Sequence, residues 1–199
     1  MAVTRVAVFG GTFDPFHLGH LAVAEQAREG VLAGETWVVP AGLPPHRGPV
    51  TAGAADRLAM CRAAIEGHPR IAILDLELRR GGPSYTIDTM RDLASAHPAI
   101  QLWVVLGADA ARQAPSWHDS AELLGSYHFA LVNRAGEAPI HHAEAIGLGF
   151  RPERTRVVGI DSPDVSATEI RRRVLAGETL EGLVSPAVAA IISERGLYR

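Results

Sequence analysis

Two histidines three residues apart, His17 and His20, close the run Val8-Phe9-Gly10-Gly11-Thr12-Phe13-Asp14-Pro15-Phe16-His17-Leu18-Gly19-His20. Imidazoles at that spacing share one face of a helix that begins near Leu18. A helix start also offers unpaired N–H groups and the positive end of a dipole, which favours phosphate and other anions. The apolar run Val6-Ala7-Val8-Phe9 ahead of the glycines reads as a short buried strand. Strand, glycine turn and helix start together let backbone approach a ligand closely, with two imidazoles added. Phosphate chemistry is the expectation. The segment is no P-loop, which needs a lysine, because all 19 basic residues of this chain are arginine. The dinucleotide fingerprint Gly-x-Gly-x-x-Gly is absent from it as well.

Five later segments carry groups that could join this chemistry. Pro40-Ala41-Gly42-Leu43-Pro44-Pro45-His46-Arg47 could present His46 and Arg47 from a loop stiffened by prolines, or be an exposed turn. Ser84-Tyr85-Thr86-Ile87-Asp88-Thr89 opens a helix that Ser84 or Thr86 could cap. The N–H groups left over there would suit an anion such as a carboxylate, although plain capping explains the same residues. Gly107 ends an apolar run where a ligand could come close, and Asp109 could accept from a ribose or cap the next helix. Trp117 suits stacking on a flat ring or anchoring the core. Arg134, after the next apolar run, could hold a phosphate through two parallel hydrogen bonds. Last, Ser166-Ala167-Thr168-Glu169-Ile170-Arg171-Arg172-Arg173 combines a capping box, a helix start and three arginines. A capped helix with a solvated basic face accounts for it. Paired with the first motif, however, Ser166, Thr168 and Arg171 could grip the far end of a triphosphate.

These segments need a scaffold, and the chain alternates strand and helix patterns. Strands are expected at Arg5–Phe9, Thr36–Val39, Ile71–Leu74, Gln101–Leu106, His128–Val132 and Arg156–Gly159. Helices are expected at Leu18–Ala33, Ala54–Glu66, Thr86–Ala96, Ser120–Leu124 and Ala143–Leu148. Unbroken apolar runs such as Trp103-Val104-Val105-Leu106 mark buried parallel strands. The expectation is an α/β fold, a doubly wound Rossmann-like parallel sheet whose ligands sit beyond the carboxyl ends of the strands. A helical annex should follow over residues 165–199: a helix from Ser166 to about Leu175, then one capped by Ser185 with Pro186 in its first turn and stopped near Gly196. The 199 residues suit one domain, and an apolar content of 47% allows a sizeable core. A net charge of −3 and a pI near 6.3 advertise no nucleic-acid partner. The single cysteine, Cys61, sits in a helical pattern and reads as a buried hydrophobe; a chain with one cysteine fits a reducing compartment. No stretch approaches the roughly 20 apolar residues of a membrane span. The expectation is a cytoplasmic protein with no membrane partner, and a homo-oligomer stays open.

The motif Gly-Gly-Thr-Phe-Asp-Pro-Phe-His-x-Gly-His resembles the His-x-Gly-His signature of nucleotidyltransferases. With Pro40–Arg47, Ser84–Thr89, Gly107–Trp117, Val132–Gly136 and Val165–Arg173 in order, nearly the whole chain resembles the nicotinate-mononucleotide adenylyltransferase family. That resemblance implies adenylyl transfer from ATP to nicotinate mononucleotide, giving deamido-NAD and pyrophosphate. It implies catalytic roles for Thr12, His17, His20 and Arg171. ATP would also meet Gly10, Gly11, Phe13, Gly107, Asp109, Ser166 and Thr168. The acceptor would meet Asp14, His46, Arg47, Ser84, Tyr85, Thr86, Trp117 and Arg134. Mg²⁺ is implied, held mainly by the substrate phosphates. Two departures stand out: Arg47 replaces the family's usual lysine, and Ala167 removes a hydroxyl from its Ser-Ser-Thr. Four alternatives remain: nicotinamide mononucleotide as acceptor, a phosphopantetheine adenylyltransferase, an ATP-binding sensor, and a zinc site from His17, His20 and His46.

Overall fold

The computed structural model describes residues 4–44, 50–134, 136 and 138–199. Among them are the strands β1 (Thr4–Gly11), β2 (Glu35–Pro40), β3 (Ile71–Ile73), β4 (Ile100–Gly107), β5 (His128–Arg134) and β6 (Thr155–Ile160). They form one parallel sheet in the order β3-β2-β1-β4-β5-β6. All six expected strands are present and mostly longer at both ends than their apolar runs. Edge residues extend the ladder without needing burial.

Side chains alternate across the central strands, so each feeds two cores. Ala7 and Phe9 of β1 join Trp103 and Val105 of β4 on one face; Val6 and Val8 join Leu102, Val104 and Leu106 on the other. The first face is covered by α1 (Leu18–Gly30), α2 (Ala54–Ala64) and the annex helices α8 (Ala167–Ala176) and α9 (Pro186–Glu194). The second is covered by α4 (Thr86–Ala96), α5 (Ala108–Gln113), α6 (Ser120–Ser126) and α7 (His142–Gly147), with the short α3 (Leu76–Arg80) alongside. Two helices escaped the sequence patterns, α3 and α5. At five and six residues neither is long enough to display a period. Helix α1 stops at Gly30 rather than Ala33, because Leu32 takes a left-handed turn (φ 56°) to send the chain into β2.

Cys61 is buried in the first core, where burial pushes its thiol up to about 12. Among the described residues no helix is long and apolar enough to cross a membrane. The chain winds from β1 outward to β3, then returns through β4 to β6 on the other side of β1. The loops therefore diverge at the carboxyl ends of β1 and β4, which is where such sheets open a crevice.

Candidate active site

A cavity of about 640 Å³ opens there, lined by Gly10 to Asp14 after β1, Gly107 and Asp109 after β4, and Arg134 at the end of β5. Its volume suits a small organic ligand. A Cβ on Gly11 would come within 2.7 Å of the Phe13 ring, so only glycine lets that ring fold under the turn.

His17 is the N-cap of α1 and His20 its third residue, and the two imidazoles perform a reciprocal cap. The His20 backbone N–H donates to Nδ1 of His17 at 3.2 Å; the His17 backbone N–H donates to Nδ1 of His20 at 3.3 Å. A neutral imidazole whose Nδ1 accepts carries its proton on Nε2. Both rings are thereby set in one tautomer as Nε2–H donors, and both line the cavity. The rings stack with centroids 3.5 Å apart. Phe9, Phe13 and Phe16 surround His20 at 5.0 to 6.1 Å, the Phe13 contact being edge to face. His17 is buried, and burial together with the Arg134 charge lowers its pKa to about 3. It is therefore neutral throughout the physiological range and can donate without adding charge.

The start of α8 reaches the same cavity. Ser166 caps it by accepting from the Glu169 N–H at 3.2 Å. The expected capping box is only half made: the Glu169 carboxylate turns instead to Arg172 and Arg173, each at 2.8 Å. Arg172 also pairs with Glu178. Those two arginines form an exposed ion-pair network, while Arg171 alone of the three lines the cavity, beside Ser166 and Thr168. Its guanidinium donates to the Asp14 carbonyl at 2.7 Å and to the Thr168 hydroxyl at 3.3 Å, which aims it.

Opposite lie the start of α4 and the turn after α5. Tyr85 is the N-cap of α4 and no side chain caps that helix. The expectation that Ser84 or Thr86 would do so is corrected. Ser84 stands one residue too early and its hydroxyl accepts the Gly42 N–H at 2.8 Å, while Thr86 is already the first helical residue. Among the described residues the N–H groups at this start consequently have no side-chain acceptor, the condition an anionic ligand group needs. Trp117 follows a short 3₁₀ turn (Ala114–Ser116), packs against the second core and lines the cavity. The Tyr85 ring faces His118 with centroids 4.4 Å apart.

A model of the cytidylyltransferase-like family matches residues 8–173. A protein of Synechococcus sp. (strain JA-3-3Ab) named "Probable nicotinate-nucleotide adenylyltransferase" is 40% identical over 199 residues, covering 98% of this chain and 94% of that protein. One of Geobacillus kaustophilus (strain HTA426) with the same name is 38% identical over 200 residues, with 98% and 86% coverage. The chain belongs to the nicotinate-nucleotide adenylyltransferase family. Nicotinic acid mononucleotide adenylyltransferase of Plasmodium falciparum, solved in complex with NaAD, shares the family's fold with this chain at a TM-score of 0.82, 19% identity and 98% and 97% coverage. The complex of that protein with APC gives 0.80 at 20% identity, again with 98% and 97% coverage.

Of the residues that the family resemblance implied, the cavity gathers all but His46 and Arg47, which lie outside the described residues. The surroundings of three define what each can offer a ligand. Asp14 is buried, and its carboxylate accepts from the Thr51 and Ala52 N–H groups at 2.7 and 3.1 Å and from the Tyr198 hydroxyl at 2.7 Å. It pins the motif to the chain around it. Asp109 is the second residue of α5, after Gly107 as N-cap, so it caps nothing; its side chain is 80% exposed at the cavity mouth. The Phe13 ring is core, leaving only its backbone for a ligand. The zinc alternative loses both Nδ1 atoms of His17 and His20 to backbone N–H groups.

Two residues escaped sequence reasoning. Arg57 is almost wholly buried in α2 and donates to the carbonyls of Thr12 (2.8 Å) and Gly42 (3.3 Å), joining the loops after β1 and β2. Burial lowers its pKa, opposed by the nearby Asp14 carboxylate. A signal for it existed: Arg57, Met60, Cys61 and Ala64 form the buried stripe of α2 at helical spacing. Tyr198 had none, since its partner Asp14 is 184 residues away. Tyr198→Phe is expected to lower the unfolding free energy by about 1.5–3 kcal/mol, the worth of a hydrogen bond to a charged group. Urea unfolding checks this, and an unchanged midpoint would show that the bond contributes nothing.

Proposed function

We propose that the chain transfers the adenylyl group of ATP to nicotinate mononucleotide, releasing pyrophosphate and deamido-NAD. The observation that carries this reading is the reciprocal cap of His17 and His20, which leaves two Nε2–H donors in the cavity wall at the start of α1. An oxygen of the mononucleotide phosphate attacks the α-phosphorus in line. The bond from that phosphorus to the bridging oxygen breaks, and pyrophosphate departs with the electron pair. The attacking oxygen is already anionic, so no protein nucleophile is called for. Catalysis then consists of positioning and of donors aimed at oxygens where charge grows.

His17, His20, Thr12 and the Gly10–Phe13 backbone serve the α-phosphate. Arg171 and the Ser166–Thr168 turn serve the departing pyrophosphate. In-line attack brings the acceptor phosphate up against the α-phosphate, so a cation shared by both belongs at the histidine end. Arg134, close enough to His17 to lower its pKa, meets that requirement. Gly107 and Asp109 remain for the nucleoside of ATP. At the far end the uncapped start of α4 suits a carboxylate better than a neutral amide. That preference, and the names of the relatives, favour the acid over nicotinamide mononucleotide.

Mg²⁺ fits this arrangement as a companion of the substrates. Among the described residues no three His, Cys, Asp or Glu side chains gather to hold a metal. Magnesium retains waters and binds phosphates readily, so the triphosphate would hold it with few protein ligands. When bound, it neutralises charge on the phosphate oxygens. The chain's own residues supply the remaining donors.

The test of the reading is product analysis. ATP, nicotinate mononucleotide and magnesium should yield the dinucleotide by mass, and a chelator should abolish it. ATP bound without any product would make the protein a sensor. Within this reading, Trp117→Ala is expected to raise the acceptor KM about tenfold or more, the scale of losing an aromatic stack, with the ATP KM within about twofold. Equal increases for both substrates would remove the stacking assignment.

A further inference from the structure

Glu77 has no place in the chemistry above, yet its carboxylate is buried (7% exposed) in the wall of the same cavity. A buried carboxylate is tolerated only where partners replace its lost hydration. Burial pushes its pKa up, against hydrogen bonds from Thr89 and Ser84 and the charge of Arg80. The Thr89 hydroxyl donates to Oε1 of Glu77 at 2.6 Å. Ser84 stands near this carboxylate and helps to hold its charge, and the Ser84 oxygen accepts from the Gly42 N–H at 2.8 Å. The Gly42 N–H thus donates to Ser84 and the Thr89 hydroxyl to Glu77, with Ser84 set between the loop after β2 and α3.

These links tie four segments together: α3, the turn before α4, the second turn of α4 and the loop after β2. Backbone contacts reinforce them. A Cβ on Gly42 would lie 2.7 Å from the Glu77 carbonyl, and the Ser84 N–H donates to the Leu43 carbonyl at 2.9 Å. Ser84 and Thr89 bracket Tyr85 and Thr86, where α4 begins.

We propose that Glu77 is a positioning residue for the acceptor half of the site: by holding Ser84 and Thr89 it fixes the uncapped start of α4 and docks the loop after β2 against it. It touches no substrate and acts through those two hydroxyls. The proposal rests on the reading of the cavity as an adenylyl-transfer site. It separates the two substrates, because its bonds lie at the start of α4 and its link to the β1 loop runs only through the backbone carbonyls of Gly42 and Thr12 that Arg57 holds.

Steady-state kinetics of Glu77→Gln test it. The amide replaces one acceptor by a donor, leaving a hydroxyl donor or the amide without a buried partner. The acceptor KM should rise about tenfold, with kcat at saturating acceptor and the ATP KM within about twofold. Glu77→Asp, which keeps an acceptor-only group, should recover part of the loss. Unchanged acceptor KM, equal increases for both substrates, or a fall in kcat alone would overturn the proposal. Should Glu77→Gln melt far below the parent, Thr89→Val removes only the hydroxyl that donates to Glu77, with the same expected split and the same overturning results. A parent protein that makes no dinucleotide refutes the function itself; a working parent with unsplit variants refutes only the role of Glu77.

Discussion

Replacing His20 by alanine is expected to lower kcat by roughly two to four orders of magnitude, the scale of losing a donor that acts on transition-state charge. The substitution removes the Nε2–H donor and also the Nδ1 acceptor of the His17 backbone N–H. It leaves His17 capping the helix through the His20 backbone N–H. The fold should persist, with circular dichroism and the melting temperature close to the parent's, while KM values move little. A companion variant sharpens the point. Asparagine is among the best N-cap residues, so His17→Asn can keep the cap while deleting the imidazole donor. It too should lose kcat. Near-parental kcat in His20→Ala would remove the imidazole from the mechanism.

Arg171→Ala is expected to reduce kcat/KM for ATP by roughly 10- to 100-fold, the worth of a charge-assisted hydrogen bond to a phosphate. Arg171 is held by the Asp14 carbonyl and the Thr168 hydroxyl in a pose that faces the cavity. Its neighbour supplies the control. Arg172 pairs with Glu169 and Glu178 on the exposed side of α8, where ion pairs contribute little. Arg172→Ala should therefore leave ATP kinetics unchanged. Equal effects at the two positions would return the arginine run to a solvated basic face.

Much of this arrangement was legible in the residues. The strands announced themselves because buried parallel strands are unbroken apolar runs, and the motif after β1 carried its own strand, turn and helix start. Ser166 and Ser185 cap the helices they were expected to cap, since capping is a local matter of three residues. Competition between partners was not legible. Glu169 had the spacing of a capping box but found two arginines on its own helix. Ser84 could have capped α4 but is drawn to Gly42, 42 residues away. Asp14 sat inside the signature yet serves as an internal pin, because Tyr198 arrives from the annex. Glu77 and Thr89 are twelve residues apart on different helices, and only the fold brings them together.

For Ser84, Asp14 and Glu77 the displaced role has one cause: a buried or half-buried polar group met a partner from another element that only the fold brings near. Glu169 instead was taken by nearer arginines on its own helix. The cavity's donors, by contrast, were set by local structure: the histidine cap is complete within four residues. That is why the phosphate chemistry could be read early and the acceptor site only in part.

In this mechanism the histidine cap drives adenylyl transfer to a pyridine mononucleotide. It is tested most directly by pyrophosphate release from ATP and magnesium, measured in parallel with nicotinate mononucleotide, nicotinamide mononucleotide and phosphopantetheine. The highest kcat/KM is expected with nicotinate mononucleotide, a lower one with the amide and no release with phosphopantetheine. Faster release with phosphopantetheine, or no release with either pyridine mononucleotide, would contradict it.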